Sequence, residues 1–203
     1  MKIKIKLSEL LYFLAFFIWL LFNFIAQTNL VNKYPNIYRY RIVAMVACIL
    51  ILFVKLVLEK TKSRFLFFFL LMICLALAIG ITTHKLFDGV TIISTILLII
   101  SIQNVSFRKI LILWSSSIFI FMLFVFMGLK VGFIENTLRI QLGGRLRLSQ
   151  GYQYVSLGAN YLFHLTLVYL YLRRNRITFF ETLLLGLANY YFYVNTDKIG
   201  RAH

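Results

Sequence analysis

Acidic residues are scarce in this chain of 203 residues: six carboxylates stand against 22 lysines and arginines, giving a formal charge of +16. Charged residues make up 14% of the chain and hydrophobic residues 62%, whereas soluble domains are about one quarter charged and about half apolar. The sequence therefore offers few residues for catalysis by paired carboxylates or for a metal site built from carboxylates. The basic residues lie between apolar runs, where lipid headgroups meet them, and no polar domain is left for nucleic acid.

Cysteine and proline are nearly absent. Pro35 is the single proline, and no proline-rich linker divides the chain. Cys48 and Cys74 each lie within an apolar run with no histidine near, which favours small buried hydrophobes over a disulfide or a catalytic thiol. The motifs H-E-x-x-H, C-x-x-C and G-x-S-x-G of metalloproteases, redox proteins and serine hydrolases are also missing.

Long hydrophobic runs dominate instead. About 20 apolar residues suffice to cross the hydrocarbon layer as a helix, because backbone groups in lipid must be paired within their own segment. The runs predict an all-α polytopic membrane protein with about seven transmembrane helices in a single transmembrane domain, residues 1–203. The predicted helices are about 7–26, 42–58, 65–81, 89–105, 110–133, 156–172 and 177–194. One longer extracellular loop, residues 134–155, precedes the sixth helix.

The lysine-rich start of the chain, MKIKIK, indicates an N-terminus on the inside, because cytoplasmic segments carry an excess of Lys and Arg. The long loop and the C-terminal residues then both face outward, which predicts a multi-pass protein of the cytoplasmic membrane. Lys55, near the inner end of the second helix, is expected to snorkel to the membrane surface. Glu181 is expected to pair with Arg174 or Arg176 at the inner edge.

The outer loop gathers the polar groups that the helices lack, in the stretch GGRLRLSQGYQYVSLGANYLFH. Arg145 and Arg147 are two residues apart, so in extended backbone both project to one side, about 7 Å apart. Two guanidinium groups so placed suit a phosphate or a diphosphate, with ordinary headgroup contacts as the alternative. Tyr152 and Tyr154 offer ring faces to sugars or belong to an interfacial aromatic belt.

Asn160 and His164 are four residues apart and share one helix face, with His164 about 10 Å below the outer surface. At that depth the pair is expected to face other helices or a wet cavity. An interhelical hydrogen bond is the alternative to a functional role. Asp197, at the outer end of the last helix, can orient an arginine or accept a proton from a hydroxyl, or is simply an exposed residue at a helix terminus.

The segment RLSQGYQYVSLGANYLFHLTLVYLYLRR, followed by a tyrosine-rich helix ending in NTD, resembles the Wzy-like polymerases of Gram-positive capsule and exopolysaccharide loci. Similar members carry an Arg, a G-[FY]-x-[YH] element, an Asn, and a His one turn later. Here these fall on Arg147, Gly151-Tyr152-Gln153-Tyr154, Asn160 and His164.

A later T-D-[ST]-R-like element of that family aligns with Thr196-Asp197. Lys198-Ile199 stand where a small hydroxyl residue and an arginine are usual, so Arg201 would have to substitute for that arginine. The resemblance is clearest over about the last 60 residues and implies that the chain corresponds to the N-terminal half, or a truncated form, of such a polymerase.

The resemblance implies polymerisation of polyprenyl-diphosphate-linked oligosaccharide repeat units at the outer face of the cytoplasmic membrane. With the residues above, it leads us to expect a metal-independent glycosyltransferase without a cofactor, with catalytic Arg147, His164 and Asp197. The expected substrate-binding residues are Arg139, Arg145, Tyr152, Tyr154, Asn160 and Arg201. The expected partners are the lipid-linked oligosaccharide, membrane lipid and other polysaccharide-assembly proteins, and not nucleic acid. A lipid-linked sugar flippase or small carrier, and a non-catalytic accessory membrane subunit, are the alternatives.

Overall fold

The computed structural model of the chain describes residues 6–59, 70, 73–74, 78, 81–82, 86–140 and 146–197. Helices dominate this part of the chain, accompanied by one small sheet of two strands. In chain order the elements are α1 Leu7–Ala26, α2 Leu30–Lys33, α3 Ile37–Leu58, α4 Leu86–Ile100, α5 Phe107–Lys130, β1 Leu138–Ile140, β2 Leu146–Leu148, α6 Leu157–Arg173, a 3-10 turn Arg174–Arg176 and α7 Phe179–Asp197.

The largely helical fold predicted from the sequence is confirmed, with one correction: the loop predicted at 134–155 contains the β1–β2 hairpin. α3 begins at Ile37 instead of near residue 42. Its first turns, IYRYR, follow Pro35 as helix, but they are too polar to be recognised as part of a hydrophobic run. The predicted helix 65–81 falls largely outside the described residues.

Three of the described helices, α1, α3 and α5, are long and apolar enough to cross a membrane. At 1.5 Å per residue they are about 30–36 Å long, which matches a hydrocarbon core of about 30 Å. α4 is apolar but shorter, and α6 and α7 carry more polar side chains. The membrane class of the protein is therefore supported, whereas the count of about seven spans is not confirmed.

The described chain forms two compact units. Unit 1 comprises Met1–Asn23 with Asn36–Leu113, and unit 2 comprises Phe24–Pro35 with Trp114–His203. The single transmembrane domain expected from the sequence stays a prediction.

Unit 1 is built on the packing of α3 against α4. Its buried cluster consists of Tyr12, Ala15, Cys48, Leu52, Leu56, Leu97, Leu98 and Ile110. The burial predicted for Cys48 is confirmed, but Cys74 is exposed. Cys74 belongs to a stretch that the structure describes only in part, and its apolar neighbours in sequence did not reveal this exposure.

Lys55 of α3 is fully buried, so the expectation that it snorkels to the surface is wrong. Its Nζ lies 2.7 Å from Glu59 Oε2 and 3.3 Å from the carbonyl oxygen of Gln103. A buried ammonium is tolerated only with such partners. A carboxylate one turn further along α3 and a main-chain carbonyl satisfy the charge inside unit 1.

Unit 2 contains the antiparallel pair α6–α7, which Asn189 Nδ2 joins to Thr166 Oγ1 at 2.8 Å. The hairpin also contacts this pair, through β2 and α7. α5 ends at Lys130 because Gly132 adopts a left-handed φ of 76°, and the amide of Ile134 then donates back to the carbonyl of Gly128 at 3.0 Å. This reversal sends the chain from α5 directly into the hairpin.

Candidate functional site

The hairpin after α5 places two arginines side by side. β1 and β2 are antiparallel, and their register sets Arg139 directly opposite Arg147. Directly opposed residues of an antiparallel pair point to the same face, with Cβ atoms about 4.5–5.5 Å apart. The hairpin therefore presents two guanidinium groups on one face, and the neighbouring side chains of Leu138 and Leu148 belong to the other.

Arg139 meets no carboxylate within ion-pair distance among the side chains that the structure describes. Its hydrogen bond to Asn29 is long, 3.5 Å from Nη2 to Oδ1, and within the same part of the chain its Nε is buried without a partner. Like charges directly opposite each other destabilise a strand pair. An anion bound at this face would remove a cost that the hairpin otherwise carries.

Asn29 anchors the base of the hairpin and is only 1% exposed. Its Nδ2 donates to the carbonyl of Glu135 at 2.8 Å and to Ser149 Oγ at 2.7 Å, and Thr137 Oγ1 lies 3.2 Å away. These acceptors precede β1 and follow β2, so one buried amide holds both strands while its oxygen faces Arg139. No sequence pattern indicates this role, because more than 100 residues separate Asn29 from its partners.

Main-chain hydrogen bonds fix the same segment to the residues after β2. The amide of Asn29 donates to the carbonyl of Gly151, and the amide of Gln153 donates to the carbonyl of Gln27, each at 2.8 Å. The side chain of Gln27 also accepts a hydrogen bond from the Tyr161 hydroxyl of α6. The stretch between α1 and α3 thus holds the hairpin and α6 in a fixed arrangement.

Gly151 and Tyr152, the start of the G-Y-x-Y element, pack inside unit 2. Gly151 has a φ of 82°, and a Cβ added there would lie 2.9 Å from the Val125 side chain, so no other residue fits without strain. Tyr152 is 4% exposed, and its ring contacts those of Phe121 and Tyr161. Burial raises the pKa of the Tyr152 hydroxyl, which keeps it protonated.

The two tyrosines predicted to act alike therefore differ. The ring of Tyr152 is buried, so it neither offers an open face to a sugar nor belongs to an exposed aromatic belt. The left-handed Gly151 turns this side chain inward. Tyr154 is 65% exposed, so both interpretations stay open for it.

His164 and Asn160 share one face of α6 as predicted, and His164 Nδ1 lies 2.6 Å from the main-chain carbonyl oxygen of Asn160. Both side chains are exposed, so no cavity surrounds them among the described residues. His164 does face another helix, as expected, because its ring meets Trp114 of α5 edge-on, at 6.2 Å between centroids. Among the described residues, neither side chain contacts Arg139 or Arg147.

Three predicted site positions cannot be placed. Arg145 and Arg201 lie outside the described residues, and so does the side chain of Asp197, of which only the backbone at the end of α7 is described. Arg147 does occupy extended backbone in β2, as the spacing with Arg145 required. Its partner across the hairpin, Arg139, was signalled by Gly143-Gly144, which lie midway between the two arginines as hairpin-turn residues do.

At the other end of α6, an arginine forms an ion pair with a carboxylate. Arg173 Nη2 lies 2.5 Å from Glu181 Oε1, and the Tyr169 hydroxyl donates to the same oxygen at 2.8 Å. Glu181 also accepts from the amide of Thr178 at 2.9 Å, while Thr178 Oγ1 accepts from the amide of Glu181 at 3.2 Å. This reciprocal pattern is a capping box that starts α7. The prediction of an ion pair for Glu181 is confirmed, but its partner is Arg173 and not Arg174 or Arg176.

Across the described part of the chain, no three His, Cys, Asp or Glu side chains cluster closely enough to hold a metal ion. Comparison with known proteins identified no matching family model, curated relative or solved structure.

Proposed function

We propose that the chain polymerises polyprenyl-diphosphate-linked oligosaccharide repeat units at the outer face of the cytoplasmic membrane, as a metal-independent glycosyltransferase of the Wzy-like type or a portion of one. The observation that supports this most is the arginine pair, Arg139 directly across from Arg147 on one face of the hairpin. The sequence resemblance indicates a polyprenyl-diphosphate-linked substrate, and the two guanidinium groups on one face are suited to bind its diphosphate.

The arginine pair suits a diphosphate better than a single phosphate. Each guanidinium offers a planar fork of N–H donors that bonds phosphate oxygens in pairs. Two forks about 5 Å apart at Cβ can engage two neighbouring phosphoryl groups. Because Asn29 and the strand ladder fix the hairpin, the donors are in place before the ligand arrives, and fixed donors stabilise developing charge most effectively.

The proposed reaction breaks the bond between the anomeric carbon of the growing glycan and the diphosphate oxygen. A new bond forms from that carbon to a hydroxyl oxygen of the acceptor unit, and the hydroxyl proton passes to a base. The electron pair of the broken bond leaves on the diphosphate, where Arg147 and Arg139 stabilise the added charge. No metal is required, because the diphosphate is already a good leaving group.

His164 or Asp197 supplies the base in this proposal. Since a carbonyl oxygen only accepts hydrogen bonds, the contact between His164 Nδ1 and the carbonyl of Asn160 assigns the ring proton to Nδ1. Nε2 of the neutral ring is then the atom that takes the proton. Replacing His164 by Gln tests this role against Asp197→Asn, and the base is the residue whose loss flattens the pH dependence of polymerisation.

The proposal requires the hairpin to face outward and the N-terminus to lie inside. A cysteine at the exposed position Tyr154, in a chain with Cys48→Ala and Cys74→Ala, reports this directly. A membrane-impermeant maleimide should label Tyr154→Cys in intact cells. Labelling only after the membrane is opened would place the hairpin in the cytosol and overturn the proposal, since the lipid-linked substrate would be out of reach.

The activity test is formation of polymer from lipid-linked repeat units by membranes that contain the full chain. Arg147→Ala should abolish polymer, while Arg176→Ala, an exposed arginine at the opposite end of α6, should leave yield and length unchanged. Protein levels are compared by immunoblot. Normal polymer from Arg147→Ala at equal protein level would contradict the assignment.

A lipid-linked sugar carrier is the second candidate, because unit 1 contains polar contacts at several levels of α3. Arg41 Nη2 donates to Asn23 Oδ1 at 2.6 Å, Ser94 Oγ lies 3.4 Å from Met45 Sδ, and Lys55 pairs with Glu59. Reconstituted vesicles separate the candidates. Glycan linkage without translocation supports the polymerase, and translocation without linkage supports the carrier. An accessory subunit would do neither.

A further inference from the structure

An apolar groove runs along unit 2 between α5, α6 and α7. It encloses about 460 Å³, within the range of about 300–1,000 Å³ typical of small-molecule sites. Its lining residues are Phe119, Met122, Leu123, Val125, Phe126, Leu129, Leu162, Leu165, Tyr191 and Phe192, with Asn136, Gln150 and Tyr152 at one end. From Phe119 to Leu129 it follows α5 for about 15 Å, half of a hydrocarbon core about 30 Å thick.

The polar end of the groove leads to the arginine pair. Asn136 and Gln150 lie at the base of the hairpin, and the amide of Gln150 donates to Asn136 Oδ1 at 2.9 Å. Each is three residues from its arginine, Arg139 or Arg147, so at most about 10 Å of chain separates them. The cationic pair on the hairpin therefore lies close to the polar end of the groove, whose apolar part follows α5.

We propose that this groove binds one isoprenoid chain of an anionic lipid whose phosphate groups lie at the arginine pair. The inference rests on the proposed function, in which that lipid is the polyprenyl diphosphate carrier.

Charge complementarity identifies an amphiphile. A wholly apolar molecule would not account for two cations beside the polar end of the groove, and a free diphosphate would not account for its apolar walls. Only a molecule with an anionic head and a hydrocarbon chain satisfies both ends.

The test uses the purified full chain in phosphatidylcholine nanodiscs and a polyprenyl diphosphate that carries a photoreactive group in its chain. Leu123 of α5 lines the groove, and Ile120 of the same helix is exposed outside its lining. Leu123→Trp fills the groove and should reduce cross-linking at least about tenfold. Ile120→Trp adds the same bulk elsewhere and should leave it unchanged. The cross-links should map to residues 119–129 and 162–165.

Equal cross-linking in Leu123→Trp and the unaltered chain would overturn the inference, and so would cross-links spread evenly over both units. Competition with phosphatidic acid tests the choice of lipid: displacement of the probe by phosphatidic acid more readily than by unlabelled polyprenyl diphosphate would overturn the isoprenoid assignment.

Binding of inorganic diphosphate distinguishes this inference from the proposed function. If Leu123→Trp cross-links normally but Arg147→Ala abolishes both diphosphate binding and polymer, the groove inference fails and the proposed function stands. If Leu123→Trp loses the cross-link while Arg139→Ala and Arg147→Ala change neither diphosphate binding nor polymer, the groove binds the hydrocarbon chain, but the placement of the phosphates at the arginine pair fails together with the proposed function.

Discussion

Unit 2 has arginines at both ends of α6, and the partners of these arginines differ between the two ends. At the turn end, formed by residues 169–181, Arg173 is met by Glu181, which Tyr169 and Thr178 also engage. At the hairpin end, formed by residues 134–156, Arg139 and Arg147 face each other across two strands. The described side chains there offer Arg139 a long contact to an amide oxygen and no carboxylate.

The difference separates a structural arginine from a candidate ligand-binding one. The turn end needs no ligand, because its carboxylate serves an ion pair and a helix cap at once. At the hairpin end, two like charges directly opposite each other destabilise the strand pair, and the buried Asn29 holds both strands in place. In the proposed function, an anion that binds at this face would offset the repulsion between the two guanidinium groups.

The largest expected difference between the two ends is in how substitution of their arginines affects polymerisation. We expect Arg139→Ala to lower polymerisation by about 10²-fold or more, the usual effect of removing a fixed donor to developing charge. Arg173→Ala should change it by less than about twofold, because exposed ion pairs contribute little. Initial rates of polymer formation by membranes with matched protein levels measure both. Equal losses would mean that the two ends do not differ in function.

Stability should depend next on how the hairpin end is packed. Gly151→Ala introduces a side chain at a left-handed φ and against Val125, which should cost about 2–5 kcal/mol in the free energy of unfolding. Gly186→Ala in α7 meets nothing within 4 Å and should be neutral or slightly stabilising. Denaturant titration of both variants in detergent compares them. A Gly151→Ala chain as stable as the unaltered one would contradict the described packing.

Asn29→Ala should cost less, about 1–3 kcal/mol, because it leaves buried acceptors of the hairpin base without a donor. The matched control is Asn32→Ala, which removes an exposed amide from the same segment. Hydrogen exchange of the β1–β2 amides should quicken in Asn29→Ala alone. Unchanged exchange would show that Asn29 does not anchor the hairpin.

The smallest effect is expected at the turn end. Glu181→Gln removes the charge that meets Arg173 but keeps an oxygen that can accept from Thr178, so the loss of stability should be the smallest of these changes. Salt should shrink that loss further by screening the pair. Unfolding titrations of this variant at low and high salt measure it, and a loss that persists at high salt would mean that Glu181 does more than pair and cap.

The sequence predicted the regular part of unit 2 better than its site. The predicted helices 156–172 and 177–194 lie close to α6 and α7, because hydrophobic runs and caps are local signals. The hairpin was not predicted, although Gly143-Gly144, between Arg139 and Arg147, are a local turn signal. The anchor Asn29 had no local signal, because it acts through contacts over more than 100 residues of chain. The burial of Tyr152 likewise depends on the packing of Gly151 against α5.

Binding of diphosphate to the hairpin end tests the central claim most directly. The measurement is the ³¹P resonance of inorganic diphosphate titrated with the purified full chain in a neutral detergent. We predict a saturable shift that Arg173→Ala retains and that Arg139→Ala with Arg147→Ala abolishes. A shift that survives in the double variant, or that disappears equally in Arg173→Ala, would contradict an anion site at the arginine pair.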